Sequence, residues 1–175
     1  MISVLFVEDD SVYKTLPVDC WDEHRDARLY KGDNVVIAHP PCRLWSRMRQ
    51  FSTAPLEEKQ LALLALKIVQ KNGGILEHPR GSILWKLPEV NDKGFMISVN
   101  QSWWGHPCEK KTILLVCGIK MRDMPAMPLC FDTPQKVIHY TTKRPGRVLP
   151  KSQRNRTPVR FAEWLIETAK IIENQ

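Results

Sequence analysis

The sequence predicts an α/β fold with three layers and a mainly parallel sheet of about five strands. Short apolar runs over 2–7, 35–38 and 112–117 are typical of buried strands. A helical pattern over 55–72 separates the run at 35–38 from another short run at 74–76. Such a strand-helix-strand unit implies a right-handed parallel crossover.

The first predicted strand, 2–7, ends at an acidic turn formed by 8–10. Many nucleotide-binding α/β proteins carry a glycine-rich loop here, because only glycine lets backbone amides approach a phosphate or a cofactor closely. The first glycine of this chain is Gly32. The charged and aromatic stretch 19–30 predicts a short helix or an irregular connection to the next strand.

Two prolines end the strand at 35–38 and place Cys42 at its carboxyl end, the edge where open α/β sheets bind ligands. Cys42 is either a nucleophile, activated by loop donors that favour its thiolate, or a buried structural cysteine. The stretch 43–49 combines three arginines with Trp45. This mixture suits stacking on a base and binding of a phosphate, or a core tryptophan with arginines facing the solvent.

The helix predicted over 55–72 begins after a proline and ends before a glycine pair. The next strand, 74–76, runs directly into Glu77. Because a parallel crossover brings the carboxyl ends of both strands to one edge, we expect Cys42 and Glu77 on the same edge of the sheet. The alternative for Glu77 is a surface acid at a turn.

The second half of the chain predicts further elements of both kinds and one irregular region. They are a helical turn over 81–87, a polar and aromatic loop over 101–108, the strand at 112–117, a basic irregular segment over 119–156, a short strand over 137–140 and a terminal helix over 157–174. The length of 175 residues, without repeat or linker, predicts one domain over 1–175.

The net charge of +7 is unevenly distributed. No acidic residue lies between Asp132 and Glu163, whereas eight basic residues do. The rest of the chain has 18 basic and 19 acidic residues, or about −1. A neutral body with one cationic segment suggests a docking surface for phosphates, although a solvated basic loop has the same composition.

Apolar content of 43% with 26% charged residues is typical of a soluble globular protein. No apolar run approaches the roughly 18 residues of a membrane span, and the first residues lack the basic region of a signal peptide. We therefore expect a cytoplasmic protein. Five cysteines without a C-x-x-C pair argue for reduced thiols. Two His/Cys pairs, His39 with Cys42 and His106 with Cys108, leave a zinc-supported domain as an alternative.

Four stretches, in this order over 35–165, resemble motifs of the DNA cytosine-5 methyltransferase family. Pro40-Pro41-Cys42 is similar to the family's Pro-Cys nucleophile loop, and Glu77 resembles the glutamate of its Glu-Asn motif. The stretch 104–111, WGHPCEKK, is similar to Tyr-Gly-Val-Pro-Gln-x-Arg, and 154–162, RNRTPVRFA, is similar to Arg-x-Leu-Thr-Pro-x-Glu-x-Ala.

The resemblance implies a Rossmann-like methyltransferase fold and a short, phage-type family member that is an enzyme. Cys42 would add to carbon 6 of a pyrimidine, and Glu77 would hold or protonate the ring nitrogen. Residues beside the substrate would be Pro41, Arg43, Trp45, His78, Arg80 and Lys110. The cations that would hold the nucleic-acid backbone, with the target base unstacked, are Lys143, Arg144, Arg147, Lys151, Arg154 and Arg156.

The family's cofactor is S-adenosylmethionine, bound by a Phe-x-Gly-x-Gly loop, but the corresponding stretch 6–10 is FVEDD and has no glycine. His78 stands where the family has asparagine, Cys108 where it has glutamine, and Lys110 where it has arginine. No other cofactor is indicated. The chain is also too short to carry a large target-recognition domain between Cys117 and the stretch at 154–162.

The leading interpretation is an enzyme that acts on cytosine or another pyrimidine, in nucleic acid or as a nucleotide. Two alternatives remain open. One is a non-catalytic descendant of the same fold that binds nucleic acid or a protein partner, and the other is the zinc-supported binding domain.

Overall fold

A sheet of six strands forms the centre of the computed structural model, which describes residues 1–128, 130, 134, 136–137 and 147–175. In chain order its strands are β1 (Ser3–Leu5), β2 (Asp19–Trp21), β3 (Val36–Ala38), β4 (Gly74–Pro79), β5 (Phe95–Asn100) and β6 (Lys111–Cys117). The spatial order is β2-β1-β3-β4-β6-β5.

Most of the sheet is parallel, as the sequence predicts. Strands β2, β1, β3 and β4 pair in parallel, and β6 runs antiparallel to both β4 and β5. The predicted count of about five strands is one too low, and the sheet is mixed. The strands without a sequence prediction, β2 and β5, lie at the two edges of the sheet, where their side chains are mostly half-buried or exposed.

Helices on both faces of the sheet give the three predicted layers. Helix α1 (Lys59–Asn72) covers one face, where it packs in a cluster that includes Leu5 and Leu76. Helix α3 (Val159–Glu173) covers the other face, in a cluster that includes Val4 and Ile75. The α/β class and the three-layer arrangement are therefore confirmed.

Strand β4 is longer than the predicted run at 74–76. It continues through Glu77 to Pro79 because the antiparallel neighbour β6 pairs with it along its whole length. The strand begins at Gly74, where a Cβ atom would lie 1.9 Å from the carbonyl oxygen of Val36 and where φ is 135°. Only glycine fits this close approach, which sets the register between β3 and β4.

The connections between β1, β2 and β3 contain only single 3₁₀ turns, Val12–Thr15 and Ala27–Leu29. The stretch 19–30 thus begins as an edge strand and continues irregularly. The predicted turn at 81–87 is a 3₁₀ turn at Ile83–Lys86.

The basic segment contains short elements where it is described. A parallel pair is formed by β7 (Lys136–Val137) and β8 (Arg147–Val148), and a four-residue helix, α2 (Lys151–Arg154), precedes α3. Of the strand predicted over 137–140, only Val137 lies within the described residues. No helix in the described part of the chain is long and apolar enough to cross a membrane.

Candidate active site

The candidate site lies at the carboxyl ends of β1 and β3 and at Glu77, just beyond the last parallel pair of β3 with β4, on the edge that the strand-proline pattern predicts. The backbone amide of His39 donates to the carbonyl of Leu5 at 3.1 Å, which extends the β1–β3 pairing by one residue. Ala38 and Leu76 are partners in the β3–β4 register. His39 and Glu77, the next residue of each strand, therefore lie side by side.

Five side chains form a hydrogen-bonded chain across this edge. His39 Nδ1 donates to Glu77 Oε2 at 3.1 Å, and His39 Nε2 lies 3.0 Å from the hydroxyl of Tyr13. On the other side, Gln101 Nε2 donates to Glu77 Oε1 at 3.0 Å and to Thr112 Oγ1 at 3.1 Å. Both carboxylate oxygens of Glu77 are thus held in place by neighbours.

The Glu77 carboxyl is ionised at neutral pH. Burial on its own would raise the pKa of Glu77, but the hydrogen bond from His39, the interaction with its ring and the charge of Lys110 outweigh it. The pKa is lowered to about 2. Of the two roles that the resemblance implies, holding a ring N–H therefore suits Glu77 better than donating a proton.

Cys42 is a neutral thiol in this environment. Burial and the charge of Glu77 raise the pKa of Cys42, and Lys110 offsets only part of that. The carbonyl of Cys42 accepts from the amides of Trp45 at 3.0 Å and Ser46 at 2.9 Å, so a single helical turn follows the cysteine. The surroundings do not favour the thiolate, which differs from the expectation for an activated nucleophile.

Lys110 connects the site to the start of α3. Its ammonium donates to the carbonyl of Asn155 at 2.9 Å and lies close enough to Glu77 and Cys42 to act on the pKa of both. Burial lowers the pKa of Lys110, whereas the charges of Glu77, Cys42 and Glu8 act in the opposite direction. Lys110 thus lies close to both Cys42 and Glu77, and its contact with a substrate stays a prediction.

Two of the predicted substrate contacts are core residues. His78 is fully buried, because successive residues of β4 point to opposite faces and Glu77 takes the site-facing position. Burial lowers the pKa of His78 to about 4, although Glu77 and the backbone of Pro41 act in the opposite direction. Trp45 is 3% exposed and donates to the carbonyl of Lys59 at 3.2 Å. Its ring therefore packs in the core and offers no stacking face.

The other three predicted substrate contacts differ from one another. The guanidinium of Arg43 forms a bidentate ion pair with the carboxylate of Glu58. Arg43 would have to leave this pair to contact a substrate through the same atoms. Pro41 is half-buried beside Cys42, and Arg80 is exposed just past the end of β4. Contact of Arg80 and Pro41 with a substrate stays a prediction.

The first loop of the chain does not fit the cofactor that the resemblance implies. Where glycines would leave room for S-adenosylmethionine, Asp9 pairs with Lys14 at 3.4 Å and Asp10 pairs with Arg156 at 2.9 Å. Carboxylates in this position repel the carboxylate of that cofactor, and the stretch has no glycine at which the cofactor could closely approach the backbone amides. No step of the chemistry is therefore derived through it.

The predicted nucleic-acid contacts are described only in part. Lys143 and Arg144 lie outside the described residues. Arg147 and Lys151 belong to β8 and α2, whose backbone alone is described at these positions.

The remaining two of these cations have partners within the chain. The Arg154 Nε donates to the carbonyl of Leu149 at 2.8 Å, and Arg156 pairs with Asp10. The pair with Asp10 ties the segment to the body of the protein, whereas the contact with Leu149 lies within the segment.

The alternative of a zinc-supported domain lacks a set of ligands. In the part of the chain that the structure describes, no group of three or more His, Cys, Asp or Glu side chains could hold a metal ion. Cys108 is buried, and its Sγ lies 3.4 Å from Nδ1 of His106. These two residues alone do not make a metal site. Cys42 and His39 belong to the hydrogen-bonded site instead.

Sequence reasoning missed Tyr13, Gln101 and Thr112 as parts of the site and considered His39 only as a metal ligand. The position of His39 directly after β3 was a usable signal, since it aligns with Glu77. Tyr13 and Gln101 lie in 3₁₀ turns that are distant in sequence from His39 and Glu77. No local sequence pattern indicates that they belong to the site. No family model matches the chain, and no curated protein is significantly similar to it.

Proposed function

We propose that this protein acts on a pyrimidine base, cytosine first, in nucleic acid or in a nucleotide, through covalent addition of Cys42. The observation that carries the proposal is the ionised Glu77 carboxylate, held by His39 and Gln101 at the sheet edge that also carries Cys42, with Lys110 acting on both. The mostly parallel three-layer sheet supports the finer assignment, a Rossmann-like methyltransferase fold.

The proposed reaction begins when the Cys42 thiol loses its proton to water and the sulfur forms a bond to carbon 6. The electrons of the carbon 5–carbon 6 double bond move into the ring, and carbon 5 becomes nucleophilic. Carbon 5 then takes a proton from water. Loss of the original carbon 5 proton and expulsion of the thiolate restore the base, so the net result is hydrogen exchange at carbon 5.

Glu77 assists by accepting a hydrogen bond from the base. An ionised carboxylate accepts a hydrogen bond from the exocyclic amino group, and also from the ring N–H that forms when the electron-rich ring nitrogen takes a proton from water; that proton returns to water when the thiolate leaves. Lys110 lies near enough to stabilise the thiolate as it forms. His39 and Gln101 fix the carboxylate and are positioning residues.

Hydrogen exchange tests this proposal without knowledge of any group donor. Cytosine labelled with deuterium at carbon 5 is supplied as a single-stranded oligonucleotide and as the free monophosphate, and loss of deuterium is followed by mass spectrometry. The protein and Cys20→Ala, which removes another half-buried cysteine, are expected to exchange the label. Cys42→Ala is expected to show none while keeping its circular dichroism spectrum. Exchange by Cys42→Ala at the unaltered rate would refute the assignment.

The raised pKa of Cys42 favours a second candidate, a non-catalytic descendant that binds nucleic acid. It predicts no exchange with any substrate, and an affinity for DNA that falls with salt and does not depend on Cys42. Removal of Arg147, Arg154 and Arg156 would weaken that binding. The exchange experiment therefore separates the two functions.

A further inference from the structure

The loops that follow Cys42 and Glu77 line an open depression, which we call the basic pocket. It has a volume of about 320 Å³. Its lining residues are Arg47, Arg49, Arg80, Gly81, Ser82, Ile83 and Lys86.

The four cations of the basic pocket lack acidic partners. Among the described residues, none of Arg47, Arg49, Arg80 and Lys86 forms an ion pair, although Arg43, in the same loop, is paired with Glu58. All four are exposed. Like charges around one cavity repel each other, so the arrangement is stabilised when an anion enters.

The backbone around the basic pocket is held in place by hydrogen bonds. The amide of Ile83 donates to the carbonyl of Trp45 at 2.9 Å, which joins the two loops directly. The amide of Arg80 donates to Lys111 at 3.0 Å, and the buried hydroxyl of Ser82 accepts from the amide of Leu84 at 3.0 Å. The cations therefore project from a fixed frame rather than from loose loops.

Gly81 makes room for one of the four cations. A Cβ atom at this position would lie 2.9 Å from Nε and 3.2 Å from Cγ of Arg47. Any other residue at position 81 would push the Arg47 side chain away from its present place over the loop. Gly81 thus leaves space for the Arg47 side chain in its present position.

We propose that the basic pocket binds a phosphate group of the substrate. A phosphate group suits a pocket with three guanidinium groups and one ammonium. Its several acceptor oxygens can form bidentate hydrogen bonds with guanidinium groups, and the ammonium adds a further positive charge. The pocket lies between loops that start at Cys42 and at the end of β4, so this inference rests on the proposed function for the site of the base. The same chemistry fits a nucleotide monophosphate and a phosphodiester of a strand.

The double substitution Arg80→Gln with Lys86→Gln removes half of the pocket's charge. A second pair, Lys67→Gln with Lys120→Gln, changes the net charge equally at exposed lysines that have no ion pair in the described part of the chain. Binding of a fluorescein-labelled single-stranded oligonucleotide is measured by anisotropy at several salt concentrations. We expect about tenfold weaker binding for the pocket variant than for the lysine control, and a salt slope smaller by about one.

Two small competitors distinguish the source of the phosphate. Deoxycytidine monophosphate should displace the oligonucleotide less effectively from the pocket variant than from the control, and deoxycytidine should compete equally with both. If only the oligonucleotide is affected, the pocket binds a phosphodiester of a strand. Equal binding of all probes by the two double variants, or absence of binding by the unaltered protein, would overturn the proposal.

Gly81→Ala provides a variant without any change in charge. We expect it to weaken binding in the same direction, since Arg47 must move, and circular dichroism and thermal unfolding check that each variant folds. Failure of the two proposals can be told apart. Exchange of the carbon 5 label with unaltered binding by the pocket variant would refute only the phosphate site, whereas weakened binding without any exchange would refute only the chemistry of Cys42.

Discussion

The imidazole of His39 and the carboxylate of Glu77, 3.1 Å apart, join two neighbouring parallel strands one residue beyond their last paired positions. The carboxylate is 12% exposed, so solvent screens this contact only weakly. The pair lowers the pKa of a buried acid, and together with Gln101 it fixes the orientation of the Glu77 carboxylate. Stability and chemistry therefore depend on the same contact.

Glu77 makes the stability of the fold depend on acidity. The pKa of Glu77 is lowered to about 2 in the folded state. Its contribution to the free energy of unfolding is therefore complete above about pH 4.3, the pKa of glutamate in the unfolded chain, and is lost as the pH falls towards 2. A shift of this size corresponds to about 3 kcal/mol. Urea unfolding between these pH values should show this loss in the unaltered protein and in Glu167→Gln, an exposed control, but not in Glu77→Gln. If the free energy of unfolding fell equally with pH in all three proteins, this prediction would be wrong.

The reactivity of Cys42 should reflect its raised pKa. Alkylation by iodoacetamide, followed on the Cys42 peptide by mass spectrometry, is expected to be slow at neutral pH and to rise only above the ordinary thiol value of about 8.5. Lys110→Met removes the charge that lowers the pKa of Cys42, so its profile should move to higher pH. Lys120→Met, at an exposed position, should leave the profile unchanged. A Cys42 that reacts fastest near neutral pH would rule out this electrostatic description.

Gly74 should be essential for folding. Gly74→Ala places a Cβ atom 1.9 Å from the carbonyl oxygen of Val36 at a φ of 135°, which we expect to destabilise the protein by more than about 3 kcal/mol. Gly105→Ala is the matched control, because φ is 95° there but no atom lies within 4 Å of the added Cβ. The control should lose only about 1 kcal/mol. Thermal unfolding measures both changes, and equal losses would show that contact with Val36 is unimportant.

S-adenosylmethionine should not bind at micromolar concentrations, because the acidic stretch 8–10 replaces the glycine loop. Titration calorimetry, with and without a short DNA duplex, measures this directly. Binding with about −8 kcal/mol would mean that Glu8, Asp9 and Asp10 line an unusual cofactor site. In that case Asp10→Gly should strengthen binding, and the proposed exchange reaction would be one half of a methyl transfer.

The central features of the fold and of the site follow from local sequence patterns. Apolar runs that stop at prolines correctly place Cys42 and Glu77 on one sheet edge, because parallel strands share their carboxyl ends. Strands β2 and β5 escape prediction, since edge strands are only half-buried and their composition resembles that of loops.

The electrostatics of the site depend on contacts between distant parts of the chain. Tyr13 and Gln101 reach His39 and Glu77 from turns 26 and 24 residues away. The raised pKa of Cys42 arises from burial and from Glu77. Trp45 could face either the core or a ligand on the basis of its neighbours alone, and only the position of α1 decides between these environments. Such properties require the folded chain.

Helix α3, which covers one whole face of the sheet, has a consequence for the order in which the protein forms. All six strands of the sheet are synthesised before α3. Arg156, the ion-pair partner of Asp10, comes 146 residues after Asp10 in the chain. During that interval the apolar face that includes Val4 and Ile75 has no cover. Until α3 has docked, the nascent chain therefore exposes an apolar surface of the kind that chaperones bind.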